Sequence, residues 1–175
     1  MSLSLYDITL PAFIRSFENL SAILKKGEAF ADEKGLDHKV LLDARLIEDM
    51  GPLTAQIQRA SDTAKFVAVR VAGIENVPMA DEEATFADLN ARIEKTVEIL
   101  KAVEASAMNG KEEKEVVLKT GSGSTTFTAR DYVLGFAIPN FYFHVTTAYA
   151  ILRHPAPQGR ARGQDGLSRS ALLSD

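Results

Sequence analysis

The sequence predicts an all-α protein, an up-down four-helix bundle with a small β-hairpin inserted before the last helix. Four long stretches repeat apolar residues at steps of three and four, which is typical of helices with one buried face. Capping-box patterns, a Ser or Thr followed three residues later by Asp, precede three of them. The stretch between the third and fourth helices instead reads as short β segments around a Gly-Ser turn.

The first helix is predicted for about residues 6–34, since Phe13, Phe17, Leu20 and Leu24 follow one another at helical spacing. Gly35 is expected to end it as a left-handed cap. A second helix is predicted for about residues 45–72. Pro52 interrupts its pattern early, so this helix either is kinked there or begins near Gly51.

The third helix is predicted for about residues 86–104, with an uninterrupted apolar seam. Charged residues on its other side, Arg92 among them, are interpreted as a solvated face. The hairpin strands are expected at residues 115–119 and 124–128. The last helix should then start near Ala129 and be kinked or split by Pro139.

Two regions are expected. Residues 1–154 form the bundle, whereas residues 155–175 lack apolar periodicity and are rich in Pro, Gly, Arg and Ser, as in a flexible tail. Truncation of that tail should leave the melting temperature almost unchanged.

Composition restricts the class of protein. Hydrophobic residues make up 46% of the chain and there is no cysteine, so disulfides and thiolate metal sites are excluded. The net charge of −4 and the absence of a basic cluster in the main body argue against a nucleic-acid partner. Neither a bilayer-spanning apolar run nor a secretory signal is recognisable. We therefore expect no membrane partner and a cytoplasmic location.

One polar cluster is the candidate site. Asn140 and His144 lie four residues apart within an apolar stretch of the last helix, so both should project from one buried face. Asp49 shares one line of the second helix's apolar side with Leu46, Leu53 and Gln56. If the two faces meet, a carboxylate, an amide and an imidazole converge. These groups can bind Zn²⁺, Ni²⁺ or Mn²⁺ with water completing the shell.

The same residues have a second interpretation. A buried Asp–His hydrogen bond, with the Asn satisfying a third group, explains the trio without any ion. Gln56 and Tyr142 are predicted as neighbours of the trio or as substrate contacts. Both interpretations require Asp49, Asn140 and His144 to meet in space.

Two segments together, ARLIEDMGPLTAQIQ and FTARDYVLGFAIPNFYFHVTTAYAILRH, resemble the DinB/YfiT-like superfamily of four-helix bundles. The narrower resemblance is to a bacterial branch of unknown function, over about residues 3–154. Many superfamily members bind a metal through three histidines, and the resemblance implies that Asp49, Asn140 and His144 occupy those positions. Only one of the three is histidine here.

The resemblance also implies activity and assembly. Members with known activity include transferases and isomerases that depend on low-molecular-weight thiols, and related bundles commonly form dimers. The expectation is therefore a thiol-dependent enzyme with a divalent metal. The alternative is a non-catalytic homodimer whose polar trio is a hydrogen-bond network or a small-ligand pocket.

Overall fold

The structure is a computed structural model, and it describes residues 4–121 and 123–154, without the side chain of Thr120. The predicted tail, residues 155–175, lies outside the described residues. The described elements are helices α1 (Leu5–Lys34), α2 (His38–Leu42), α3 (Leu53–Val67) and α4 (Phe86–Lys101), strands β1 (Glu115–Thr120) and β2 (Gly123–Thr128), and helices α5 (Ala129–Tyr132) and α6 (Ile138–Arg153). A helical bundle with a hairpin before its last helix is thus confirmed.

Local sequence signals explain where most helices begin and end. Ser4 caps α1 and Thr85 caps α4, each in a reciprocal capping box with the Asp three residues later. Gly35 ends α1 with a φ of 61°, the left-handed conformation that glycine adopts without steric cost. The third cap, Thr128, accepts a hydrogen bond from the backbone of Asp131 at the start of α5.

The second long helix begins later than its apolar pattern indicates. Residues 46–50 form turns and bends, and α3 starts at Leu53, directly after Pro52. A proline lacks the backbone N–H and is tolerated at a helix start better than in its interior. Of the two alternatives, a start near Gly51 is confirmed and a start at residue 45 is wrong, so Leu46 and Asp49 do not lie on this helix.

The helices pack as a ring in the order α1, α4, α3 and α6. Two pairs run antiparallel: α1 with α4, joined by Ser21 and Asn90, and α3 with α6. Helices α1 and α6 run parallel. The ring centres of Phe13 and Phe141 lie 4.1 Å apart near one end of the pair, and Gly27 lies against Leu152 near the other end. It follows that α3 and α4 also run parallel.

The long loop 73–85 makes that parallel pair possible, since it returns alongside α3. Lys65 donates to the carbonyl of Val77, and Gln58 donates to Glu83 nearer the start of α3. Arg92 on α4 holds the same loop, through Asp81 at 2.9 Å and Glu83 at 2.8 Å.

Arg92 is not solvated, so its assignment to a solvent-facing surface of the third helix is wrong. Its side chain is 1% exposed, and it also contacts Asp62 of α3 at 3.2 Å. A buried guanidinium requires such partners, because removing an unpaired charge from water is very costly.

The last helix is not split by Pro139. A π-helical turn, Val133–Ala137, joins α5 to α6, and the proline occupies the first turn of α6. The wider turn accommodates a residue that cannot donate a backbone hydrogen bond. A second π-helical turn, Ala68–Ala72, ends the helix that contains α3. The two wide turns lie at the same end of the antiparallel α3–α6 pair.

The hairpin is antiparallel, with Glu115 opposite Thr128 and Leu118 opposite Thr125. Val116 and Leu118 are buried, so one face of β1 packs onto the bundle. Within residues 4–121 and 123–154, none of the helices combines the length and the apolarity that a membrane crossing requires.

Candidate ligand pocket

Three hydrogen bonds join one face of the α3 helix to the α5–α6 helix. Gln56 pairs with His144 at 2.8 Å, Thr63 with Asn140 at 2.7 Å, and Arg70 with Tyr132 at 2.8 Å. The α3-side members recur every seven residues, so they lie on one side of the helix. Two of the predicted site residues, Asn140 and His144, therefore face α3 as expected.

The pair of Gln56 and His144 fixes the imidazole. The Nε2 atom of Gln56 donates to the carbonyl of Gly51 at 2.8 Å, so its Oε1 atom faces Nδ1 of His144 and must accept a hydrogen bond from it. The proton is therefore on Nδ1, and Nε2 carries a lone pair. Nε2 has no hydrogen-bond partner among the described residues.

His144 is neutral near pH 7. Its side chain is buried and lies close to the Arg59 guanidinium, and these two causes, burial first, lower its pKa from 6.5 to about 4. A neutral imidazole with Nδ1 protonated offers a hydrogen-bond acceptor and no positive charge.

Asn140 is oriented in a similar way. The hydroxyl of Thr63 donates to the carbonyl of Arg59 at 2.7 Å, so its oxygen accepts the bond from the Asn140 amide at 2.7 Å. The amide oxygen of Asn140 has no hydrogen-bond partner within residues 4–121 and 123–154. Asn140 and His144 thus present two acceptors, one turn apart.

These acceptors line an open pocket of about 290 Å³ between α3, α6 and the hairpin. Its polar lining comes mainly from α3, and its apolar lining comes from three elements. The lining residues are Arg59, Asp62, Thr63, Phe66, Arg70, Leu118, Phe136, Asn140 and His144.

Two guanidinium groups stand at opposite ends of the pocket. Arg59 lies beside His144, whereas Arg70 donates to the Tyr132 hydroxyl and lies 4.4 Å from the centre of the Phe66 ring. Neither arginine forms an ion pair with any acidic side chain in the described part of the chain. Their positive charges are therefore free to meet an anionic ligand.

The acidic residue of the pocket is already paired. Asp62 contacts Arg92 at 3.2 Å and Lys65 at 3.3 Å, and the side chains of both cations are almost fully buried. Its carboxylate lies between the positions of Arg59 and Arg70 along α3 and neutralises neither of them.

Of the three residues predicted as metal ligands, Asn140 and His144 line the pocket and Asp49 is not among its lining residues. Asp49 lies in an exposed turn before α3 and does not line the pocket, because the helix that was to carry it starts four residues later. The described residues contain no group of three or more His, Asp or Glu side chains able to hold a metal ion. The pocket also places two guanidinium groups where a divalent cation would be repelled. The residues present do not fit a divalent metal, and metal binding stays a prediction from the sequence.

The other two predicted contacts differ in outcome. Gln56 is buried behind His144 and contacts the imidazole, so it positions that side chain and does not line the pocket. Tyr142 lies on another side of α6, where its ring contacts Phe13 and its hydroxyl faces Ser16 at 3.4 Å. The structure therefore does not bring Tyr142 to the pocket.

Sequence reasoning did not identify Arg59, Thr63 or Arg70 as pocket residues. A signal was present, because residues 59, 62, 63, 66 and 70 follow the helical repeat and form one stripe on α3. A polar stripe of this kind is read as solvated unless the partner helix is known.

The fold and the pocket define a class, helical bundles of the DinB type with a polar cavity between two antiparallel helices. The chain belongs to the family described as a domain of unknown function, DUF1993, whose model matches residues 5–156. It is similar to a solved DinB family member from Shewanella denitrificans, with 34% identity and a TM-score of 0.80. That alignment covers 98% of this chain and 92% of the other. No match was found among curated proteins.

Proposed function

We propose that this protein binds a small organic anion in the α3–α6 pocket. The observation that carries the proposal is the combination of two guanidinium groups without acidic partners and a neutral imidazole. Arginine recognises carboxylate and phosphate groups through paired charge-assisted hydrogen bonds. The Nε2 atom of His144 and the amide oxygen of Asn140 would accept hydrogen bonds from hydroxyl, amide or amine groups of the same ligand.

The pocket has the composition of a ligand site. Small-molecule sites combine apolar walls with a few oriented polar groups. Here Phe66, Phe136 and Leu118 supply the walls, and the hydrogen bonds of Gln56 and Thr63 orient His144 and Asn140. Because these groups are already held in place, a ligand would not have to order them on binding.

Thermal melting and calorimetry with a panel of small carboxylates, phosphates, neutral amides and amines test the proposal. Anions should raise the melting temperature, and amines should not. Arg70→Gln should reduce the response, whereas Arg15→Gln, which makes the same charge change on the exposed side of α1, should preserve it. Equal responses to anions and amines would contradict the proposal.

Thiol-dependent transfer or isomerisation is a second candidate, supported by the positive charge of Arg59 beside His144. Guanidinium groups stabilise a thiolate. His144 would not be its general base, since an imidazole with a pKa of about 4 is too weak to deprotonate a thiol whose ordinary pKa is about 8.5. An assay that follows loss of an electrophile in the presence of glutathione or cysteine tests this activity, with Arg59→Gln as the variant expected to lose it.

A homodimer remains the proposed assembly. Phe143 and Tyr142 are exposed by 53% and 38%, on a helix without a charged side chain between residues 138 and 152. Such a face allows two copies to pack without like-charge repulsion. Analytical ultracentrifugation should show a dimer that Phe143→Asp dissociates; a monomeric wild type would refute this assembly.

A further inference from the structure

We infer that the pocket selects anions with an acidic group at each end, such as linear dicarboxylates; this inference rests on the proposed function. The first observation is the separation of the two arginine positions along the helix. Arg59 and Arg70 lie on the same face of the α3 helix, and the separation of eleven positions corresponds to about 16 Å at about 1.5 Å per residue. One acidic group cannot pair fully with both side chains unless they lean strongly toward each other.

The second observation is the middle of the pocket. Between the arginines lie the Asp62 carboxylate and the Asn140 amide oxygen, with Phe66 and Phe136 as apolar walls. The Asp62 carboxylate is already paired with Arg92 and Lys65, and the Asn140 oxygen is an acceptor, so neither group offers a partner to a ligand carboxylate. An uncharged, largely apolar middle segment lies against Phe66 and Phe136 and needs no such partner.

The two ends are held differently, and this supports two separate acid-binding points. Arg70 is held by the Tyr132 hydroxyl and by the faces of Phe66 and Tyr132. The guanidinium is therefore oriented before a ligand arrives. Arg59 is exposed and makes no side-chain hydrogen bond to a described residue, so it can adjust to ligands of different length.

Specificity in this pocket therefore follows from the positions of the arginines. They favour acid groups at the two ends, whereas the middle offers no cation without an acidic partner. A ligand with one acid group can use only one of the two arginines fully, so the second acid group supplies the discrimination.

Calorimetry at physiological ionic strength with succinate, adipate and suberate, each compared with butyrate, hexanoate or octanoate, tests the inference. The best dicarboxylate should bind at least about tenfold more tightly than its monocarboxylate match, as expected for one additional charged hydrogen-bonded pair. Arg59→Gln and Arg70→Gln should each bring its affinity down to the monocarboxylate level. Arg15→Gln should leave it unchanged.

The outcomes separate the inference from the proposed function. Equal binding of monocarboxylates and dicarboxylates overturns the inference and leaves anion binding intact. A preference for dicarboxylates that survives both pocket substitutions also overturns it, because the acid groups would then bind elsewhere. No binding of either series overturns the inference and the proposed function together.

Discussion

The Nδ1 atom of His144 and the Oε1 atom of Gln56 lie 2.8 Å apart, in a hydrogen bond that joins α6 to α3. Gln56 is itself held by the Gly51 carbonyl at the start of α3. This chain of two bonds determines which imidazole nitrogen carries the proton and which one faces a ligand. The tautomer of His144 therefore depends on a residue that does not line the pocket.

His144 should titrate with a pKa of about 4 in an NMR pH series. The unfolded chain has an ordinary His pKa near 6.5, so the folded state binds this proton less readily. Protonation of the unfolded chain therefore lowers the free energy of unfolding as the pH falls from about 6.5 toward 4. Above about pH 6.5 the imidazole is neutral in both states, and the stability is fully present. Denaturant unfolding should show this loss in the wild type, and His144→Gln should lack that component. A pKa near 6.5 for the folded protein would contradict the buried position.

Gln56→Glu should raise the pKa of His144. The substituted carboxylate accepts the Nδ1–H bond in place of the amide oxygen and favours the protonated imidazole by its charge. The NMR pH series described for the wild type measures the change directly. An unchanged pKa would mean that Gln56 and His144 do not touch.

Asp49→Ala should change the free energy of unfolding by less than about 0.5 kcal/mol, as is usual for an exposed residue without a special contact. Added Zn²⁺, Ni²⁺ or Mn²⁺ should leave the melting temperature of the wild type unchanged, because Asp49 is not among the pocket-lining residues and two guanidinium groups are. Elemental analysis of the purified protein and melting with and without a chelator check this. A metal-dependent rise that Asp49→Ala and His144→Ala abolish would instead establish the site predicted from the sequence.

Arg92→Ala should destabilise the protein by about 3–5 kcal/mol, because it leaves the largely buried Glu83 carboxylate without its cation and frees the loop 73–85 from α4. Lys95→Ala, which removes an exposed cation from the same helix, is the matched control and should change stability by about 0.5 kcal/mol or less. Equal losses in chemical denaturation would refute the buried position of Arg92.

The same cluster should make stability depend on acid. Burial alone would raise the pKa of Glu83, but hydrogen bonds from Gln58 and Arg92 outweigh it and hold this pKa below its ordinary value. The stability contributed by Glu83 is present above its ordinary pKa of about 4.3 and is lost as the pH falls through the lower folded value. Glu83→Gln should weaken the dependence of the free energy of unfolding on pH in that range, as measured by denaturant unfolding at several pH values.

Ile93→Ala should destabilise by about 2–4 kcal/mol, since it removes a buried side chain and leaves a cavity. Urea unfolding measures the loss. A loss in the free energy of unfolding below about 0.5 kcal/mol would mean that this face of α4 is exposed to solvent.

The sequence by itself determined the helical elements and many of their ends. Ser4, Thr85 and Gly35 act through hydrogen bonds and backbone conformations within a few residues, so their effect is visible in the local sequence. The buried face of α6 with Asn140 and His144 is also a local property, because the helical repeat places both residues on one side. These predictions needed no knowledge of neighbouring helices.

Only the tertiary structure decided what those residues meet. Asp49 is spaced as if it lay on one helix with Gln56, but α3 begins only after Pro52, so Asp49 lies in a turn. Arg92 has the sequence pattern of a surface charge, but the loop 73–85 folds over it. Arg59 and Arg70 line a pocket only because α6 packs beside α3. The physical reason is that burial and pairing depend on contacts between segments distant in sequence, which periodicity along one helix does not specify.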